Sequence, residues 1–292
     1  MSQDAQPHVR TVNARCWLAA GTAIATLAAV PPVAASVIAE NHAGTFTQQL
    51  AAPAISGLLI LAASEGGEGG EGGEGGEAGV SNTASDDVAY LTGLGLVEGE
   101  VRAAVALYNA GEAELATTYL YRPGEEVYEQ LEPGLKARGE KGLAATLQEL
   151  KSAVEDTGSP DRLEKAYIEF ELAALNAGKL AKSGDKGHAM AIVGLTKAAA
   201  HEYGEAYPEG VLENATEFHH SWGFIQTARR KAETLKASSD KTVSDAGASI
   251  LQQLDIAAAA WPDLKAPEKQ PVDLSVLHGV AARIEIAALK IK

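Results

Sequence analysis

The stretch VSDAGASILQQLDIAAAAW, residues 243–261, places Val243, Ala246, Ile250, Leu254, Ala257 and Trp261 at intervals of 3, 4, 4, 3 and 4. That spacing returns an apolar side chain to one face of a helix at each turn, and a strand, with its period of two, cannot use it. Pro262 cuts the run, because proline supplies no amide hydrogen and crowds the preceding turn.

The same period extends in both directions. Downstream it carries Leu274, Leu277, Val280, Ala281, Ile284 and Ile291. Upstream it runs from Val211 through Ala215, Phe218, Trp222 and Ile225 to Arg229-Arg230. Before that, Ile192, Thr196, Ala199, Tyr203 and Ala206 lead to a break at Pro208-Glu209-Gly210. Ser159-Pro160, an N-cap with proline at the first helical position, opens Leu163, Ala166, Tyr167, Phe170, Ala174 and Ala177. Leu143, Leu147, Leu150 and Val154 close at Gly158, and Val127, Leu131 and Leu135 close at Gly139. The first stripe, Leu91 to Tyr108, stops at Gly111, and Gly93, Gly95 and Gly99 within it read as points of close helix contact. No alternating run reads as a strand. The expectation is an all-α, up-and-down bundle of about 8–9 helices over residues 86–292. Alanine-rich faces, such as Ala198–Ala200 and Ala257–Ala260, predict a tight core poor in aromatics.

The first 85 residues follow other rules. EGGEGGEGGEGGE, residues 65–77, holds five carboxylates and eight glycines and has nothing to bury, so it reads as a solvated tether. Ahead of it, Arg10 and Arg15 precede the apolar run WLAAGTAIATLAAV, and Val33-Ala34-Ala35 supplies small residues at a cleavage site. Residues 1–35 are therefore expected to be a signal peptide, with cleavage alternatively near residue 63 after a second apolar run, LAAPAISGLLILAA. Residues 36–85 form an apolar and low-complexity segment that includes the tether. Export implies the periplasm of a Gram-negative bacterium and a mature chain with no transmembrane span.

Composition narrows the chemistry. The 292 residues carry a formal net charge of −15, which disfavours nucleic acid as a partner. Cys16, the only cysteine, lies in the expected leader, so the mature chain has neither disulfides nor thiolate ligands. No nucleophile elbow or zincin motif is present, and the chain is not expected to be an enzyme. The densest donor cluster is Glu217-Phe218-His219-His220, with His201-Glu202 and Glu205 one helix earlier. Glu217 and His220 stand three apart on one helical face, the arrangement that carboxylate-rich metal bundles use. Only one such motif follows the tether, which argues for a single ion rather than a di-iron centre. Glu217 and His220, with His219 and His201, are the candidate ligands for a divalent transition metal such as Fe, Cu or Zn. On the helical wheel His219 lies at the edge of the Val211, Ala215, Phe218 and Trp222 face, and His201 lies opposite Ile192, Thr196, Ala199 and Tyr203.

The segments YLTGLGLVEG (90–99), PGEEVY (123–128) and LEPGL (131–135) resemble an uncharacterised family of exported Gram-negative helical proteins with a Gly/Glu-rich stretch after the leader. The resemblance runs from about Glu65 to Ala237 and is most specific around 90–142. It implies histidine in the relatives where this chain has Glu100, Tyr119 and Arg122. A looser similarity is to the imelysin group, exported α-helical proteins tied to iron uptake. It is one of architecture only, since their Gly-x-His-x-x-Glu motif is absent: Gly187-His188 is followed by Ala189, Met190 and Ala191. Two functions are thus carried forward. One is a non-catalytic periplasmic metal-binding or metal-uptake accessory. The other is a structural or interaction scaffold of the cell envelope, with an envelope protein as partner and no metal site.

Overall fold

The computed structural model describes residues 80–121, 123–156 and 159–292, with backbone alone for 123–126. The expected leader, both cleavage sites and the tether lie outside the described residues, as does the expected helix stop at Gly158.

Nine α-helices and one 3-10 turn make up the fold among the described residues, with no strand beyond an isolated bridge. The helices are α1 (Asp87–Asn109), α2 (Ala113–Tyr121), α3 (Pro123–Arg138), α4 (Leu143–Glu155) and α5 (Pro160–Gly178), then α6 (Gly184–Ala206), α7 (Ala215–Lys236), α8 (Lys241–Ala257) and α9 (Leu274–Ala288). Helix α6 packs on α7 and α9, and α8 packs on the same two, so the four form a closed bundle. Helix α1 lies against both α6 and α7, and on its other sides against α2, α3 and α5. Helix α4 fills the space beside α2 and α5.

The sequence of α1 explains its central place. It is buried around most of its circumference, from Tyr90 and Leu91 through Val97 and Val101 to Leu107, rather than along one stripe. A helix apolar all round belongs in an interior. Its glycines let the neighbours close in. A Cβ on Gly99 would lie 3.1 Å from the backbone of Gly223 on α7, so the two helices meet main chain to main chain. Asp86 caps α1 by accepting from the Val88 amide at 2.7 Å and from the Ala89 amide.

Several boundaries differ from the periodic reading. Helix α7 begins at Ala215, not Val211, because Asn214 caps it by accepting from the Thr216 amide at 3.0 Å. Val211 is instead 47% exposed and pairs with Lys269 in the isolated bridge. Ser159 makes no side-chain cap bond, although Pro160 does open α5. The stripe ending at Trp261 leaves α-helix at Ala257 and tightens into a 3-10 turn over Ala258–Ala260. Helix α3 runs through Pro133. Helix α2 was not expected, since only Ala116, Tyr119 and Leu120 of it are buried. The few aromatics are also gathered rather than dispersed: Tyr203, Tyr207, Trp261 and Phe218 contact one another edge-on or tilted at centroid distances of 5.1 to 6.1 Å.

One ion pair ties the start of α1 to α3 and to the α5–α6 turn. Asp87 Oδ1 accepts from Arg138 at 2.5 Å, and its Oδ2 accepts from the Lys182 amide at 2.6 Å. The guanidinium also stacks over the Tyr90 ring at 4.0 Å. The Arg138 hydrogen bond holds the Asp87 carboxyl below the usual carboxylate range. A depressed carboxylate stabilises the fold at pH values above its unfolded pKa, and the contribution fades as pH falls through the folded value. Asp87→Ala is expected to lower stability by about 2 kcal/mol at pH 7, the scale of a charge-assisted hydrogen bond. Thermal melts should show the gap between parent and variant shrinking below about pH 4. A gap that persists at pH 2 would refute the assignment.

Candidate metal centre

Glu202 on α6 and Glu217 and His220 on α7 converge where the two helices face each other. One donor atom from each lies within 4.8 Å of the others. Glu202 and His220 are only 3% exposed. Both Glu217 and His220 lie in the first two turns of α7, where three-residue spacing stacks them on one face. Glu217 Oε2 accepts from His220 Nδ1 at 3.2 Å, and its Oε1 accepts from Asn214 Nδ2 at 3.1 Å. The His220 bond, aided by bonds to Glu202 and Asn214, outweighs burial and pushes the Glu217 carboxyl down to about 2. The helix N-terminus also favours a carboxylate at this position.

His220 Nε2 is buried and has no hydrogen-bond partner among the described residues. The His220 side chain is one wall of a cavity of about 10 Å³ that Glu100, Gln130 and Glu202 also line, with Leu96, Val127 and Phe224 as apolar walls. Space of that size is about one water molecule's worth. Buried polar atoms are normally satisfied, so an open imidazole nitrogen beside carboxylates marks a place for a ligand.

The other two expected ligands are not brought to this cluster. His219 Nε2 donates to the Leu264 carbonyl at 2.8 Å, and a carbonyl can only accept. That leaves Nδ1 to accept from the Tyr119 hydroxyl at 2.7 Å. Both ring nitrogens are therefore engaged, and burial lowers the His219 pKa, keeping the ring neutral. His201 is exposed on the far side of α6. Tyr119→Phe should leave His219 Nδ1 unsatisfied and cost about 1–2 kcal/mol in thermal or urea unfolding. Metal affinity should stay within twofold of the parent, and a larger loss would return His219 to the ligand set.

Glu202, next to His201 in the sequence cluster, and Glu100, one of the departures from the resembling family, lie at this centre but outside the expected ligand set. Both stand in otherwise apolar helical stripes: Leu195, Ala198, Glu202 and Ala206 on α6, and Leu96, Glu100, Ala103 and Leu107 on α1. A carboxylate in a buried stripe is the signal that would have found them. Two of the positions where the resemblance implies histidine, 100 and 119, lie beside this centre: Glu100 lines the cavity, and the Tyr119 ring meets His220 edge-on at 5.2 Å. Arg122 is outside the described residues.

Residues 181–290, which span α6 to α9, match the family described as the iron permease-associated 4-helix bundle domain. The match covers less than half of the chain, and it coincides with the closed four-helix ring. No curated protein and no solved structure matches the chain. No helix among the described residues is long and apolar enough to cross a membrane.

Proposed function

We propose that this protein is a non-catalytic, periplasmic metal-binding accessory of metal uptake. The observation that carries the proposal is the buried meeting of Glu202, Glu217 and His220 in the seam between α6 and α7. Buried charged groups are paired with one another or coordinate metals, and a close set of two carboxylates and an imidazole is a donor set that a first-row ion takes. The likeness of residues 181–290 to an iron permease-associated bundle supports a role in metal uptake and makes iron the first metal to try. The partner on this reading is the metal ion, handed to or from an envelope protein. The apolar run after Arg15 and the cysteine-free remainder support export.

Protein purified from the periplasmic fraction without chelators provides the test, by elemental analysis and N-terminal sequencing. The expected result is one equivalent of a first-row metal per chain, as isolated or after dialysis against Fe²⁺, Cu²⁺ or Zn²⁺, with a sequence starting near Ser36 or Ser64. A chain that takes up none of the three ions overturns the metal reading and leaves the envelope scaffold. A start at Met1 in a cytoplasmic fraction overturns export.

A further inference from the structure

We propose that the exposed stripe of α5 is the seam of a homodimer, in which α5 pairs antiparallel with α5 of a second copy about a twofold axis.

Helix α5 shows water an apolar row that the fold leaves uncovered. Ile168, Leu172 and Leu175 are 59%, 56% and 56% exposed, and Leu180 follows just past the helix end. Single exposed apolar residues are normal, but three on successive turns of one face mark a surface that something covers. The same three side chains line an open groove of about 840 Å³, completed by residues of α1, α6 and α7.

Charge selects a copy of this chain as the occupant. With a formal net charge of −15, two copies repel each other over most of their surface. At the groove the charges balance: Glu98, Glu171 and Asp185 stand against Lys179, Arg230 and Lys231. Burial lowers the pKa of His188, which keeps that ring neutral. Most of these charges are already paired, Glu98 with Lys231 at 2.8 Å and Glu171 with Arg102 at 2.7 Å and Arg230 at 2.9 Å.

The row also fits itself. Asp161, Lys165, Ile168, Leu172, Leu175 and Lys179 stand at intervals of 4, 3, 4, 3 and 4, the spacing of a coiled-coil seam. That series reads the same in both directions, so a twofold axis beside residue 170 lays one row on the other. Ile168 then meets Leu172 of the second copy, Leu175 lies under the aliphatic stem of Lys165, and Asp161 meets Lys179 at each end. A parallel pairing would instead set Asp161 against Asp161 and Lys179 against Lys179. Asp161 and Lys179 are exposed, and Lys165 is held only by a loose pair with Glu169 at 3.8 Å, so none gives up a buried partner.

Sedimentation equilibrium of the protein as isolated is the test. The parent is expected to be a dimer at about 10 µM, since standard interfaces hold at micromolar or tighter. Leu172→Glu should weaken the dimer at least about 100-fold, because the twofold axis buries two new carboxylates in the seam. It should keep the parent's circular dichroism, since the position is exposed in the single chain. Asp161→Lys and Lys179→Glu should each weaken the dimer about tenfold, two repulsive pairs replacing two attractive ones. The double variant should return close to the parent's affinity, because the charges exchange places. A parent that is a monomer at about 0.1 mM overturns the proposal and leaves the face to a helix of another protein. A Leu172→Glu protein as dimeric as the parent overturns it by moving the interface off α5. A double variant as weak as the singles overturns the antiparallel pairing. Should Leu172→Glu lose its helical signal, the charge-exchange set decides alone.

Discussion

Gly223→Leu is expected to abolish the cooperative unfolding transition, and Gly223→Ala to lower stability by about 3 kcal/mol. A Cβ at position 223 would land on the carbonyl of Gly99 and lie 3.3 Å from the Ala103 Cβ. The obstacle is main chain, so no side chain can rotate to relieve it. The two helices must separate instead, and α1 is the helix on which α2, α3, α5, α6 and α7 all pack. For a domain of about 200 residues, 3 kcal/mol corresponds to a melting temperature lower by about 6–12 °C. Leucine adds three further carbons at the same point, enough to approach the whole stability of an ordinary domain. Gly178→Ala is the control, because its nearest neighbour is at 3.7 Å, an ordinary contact, and it should melt within a few degrees of the parent. A Gly223→Leu protein that melts like the parent would show that α1 and α7 do not cross backbone to backbone.

His220→Ala is expected to weaken binding of Fe²⁺ or Zn²⁺ by at least about 100-fold, beyond the range of changes outside the coordination sphere. His220 is the one nitrogen donor of the cluster, and its Nε2 is the donor atom left open. The readout is the stabilisation that metal brings. At 100 times the dissociation constant, a ligand adds about 2.7 kcal/mol. That should raise the parent's melting temperature by about 5–11 °C. The variant should show no rise at the same metal concentration. The shift on adding metal, not the melting temperature itself, is the quantity to compare, because the ring also stacks on Phe224 at a centroid distance of 6.3 Å. Equal shifts in parent and variant would remove His220 from the site.

The helices were legible wherever a stop residue and a full apolar stripe coincided. Gly111 and Gly139 follow the ends of α1 and α3 with φ of 94° and 71°, values that suit glycine. Legibility failed where tertiary contacts decide. Val211 fits the helical period, but Asn214 supplies a better cap, and the bridge to Lys269 holds Val211 outside α7. At the site, the face shared by Glu217 and His220 could be read from spacing alone, and the two side chains meet there at 3.2 Å. His219 could not be resolved that way, because its partners, Tyr119 and Leu264, are 100 and 45 residues distant. Glu100 and Glu202 become legible only when each is placed on its apolar stripe, since glutamate as a residue type points to the surface.

The central position of α1 has a cost in time. Its closest partners are synthesised late: Arg102 meets Thr227, 125 residues on, and Glu98 meets Lys231, 133 residues on. At translation speeds of about 5–20 residues per second, a helix buried on nearly every side waits on the order of ten seconds for the surface that will cover it. Contacts at that separation place the folding rate below that of helical proteins built from neighbouring pairs. Until α7 is made, the apolar circumference of α1 lacks the surface that covers it in the finished fold.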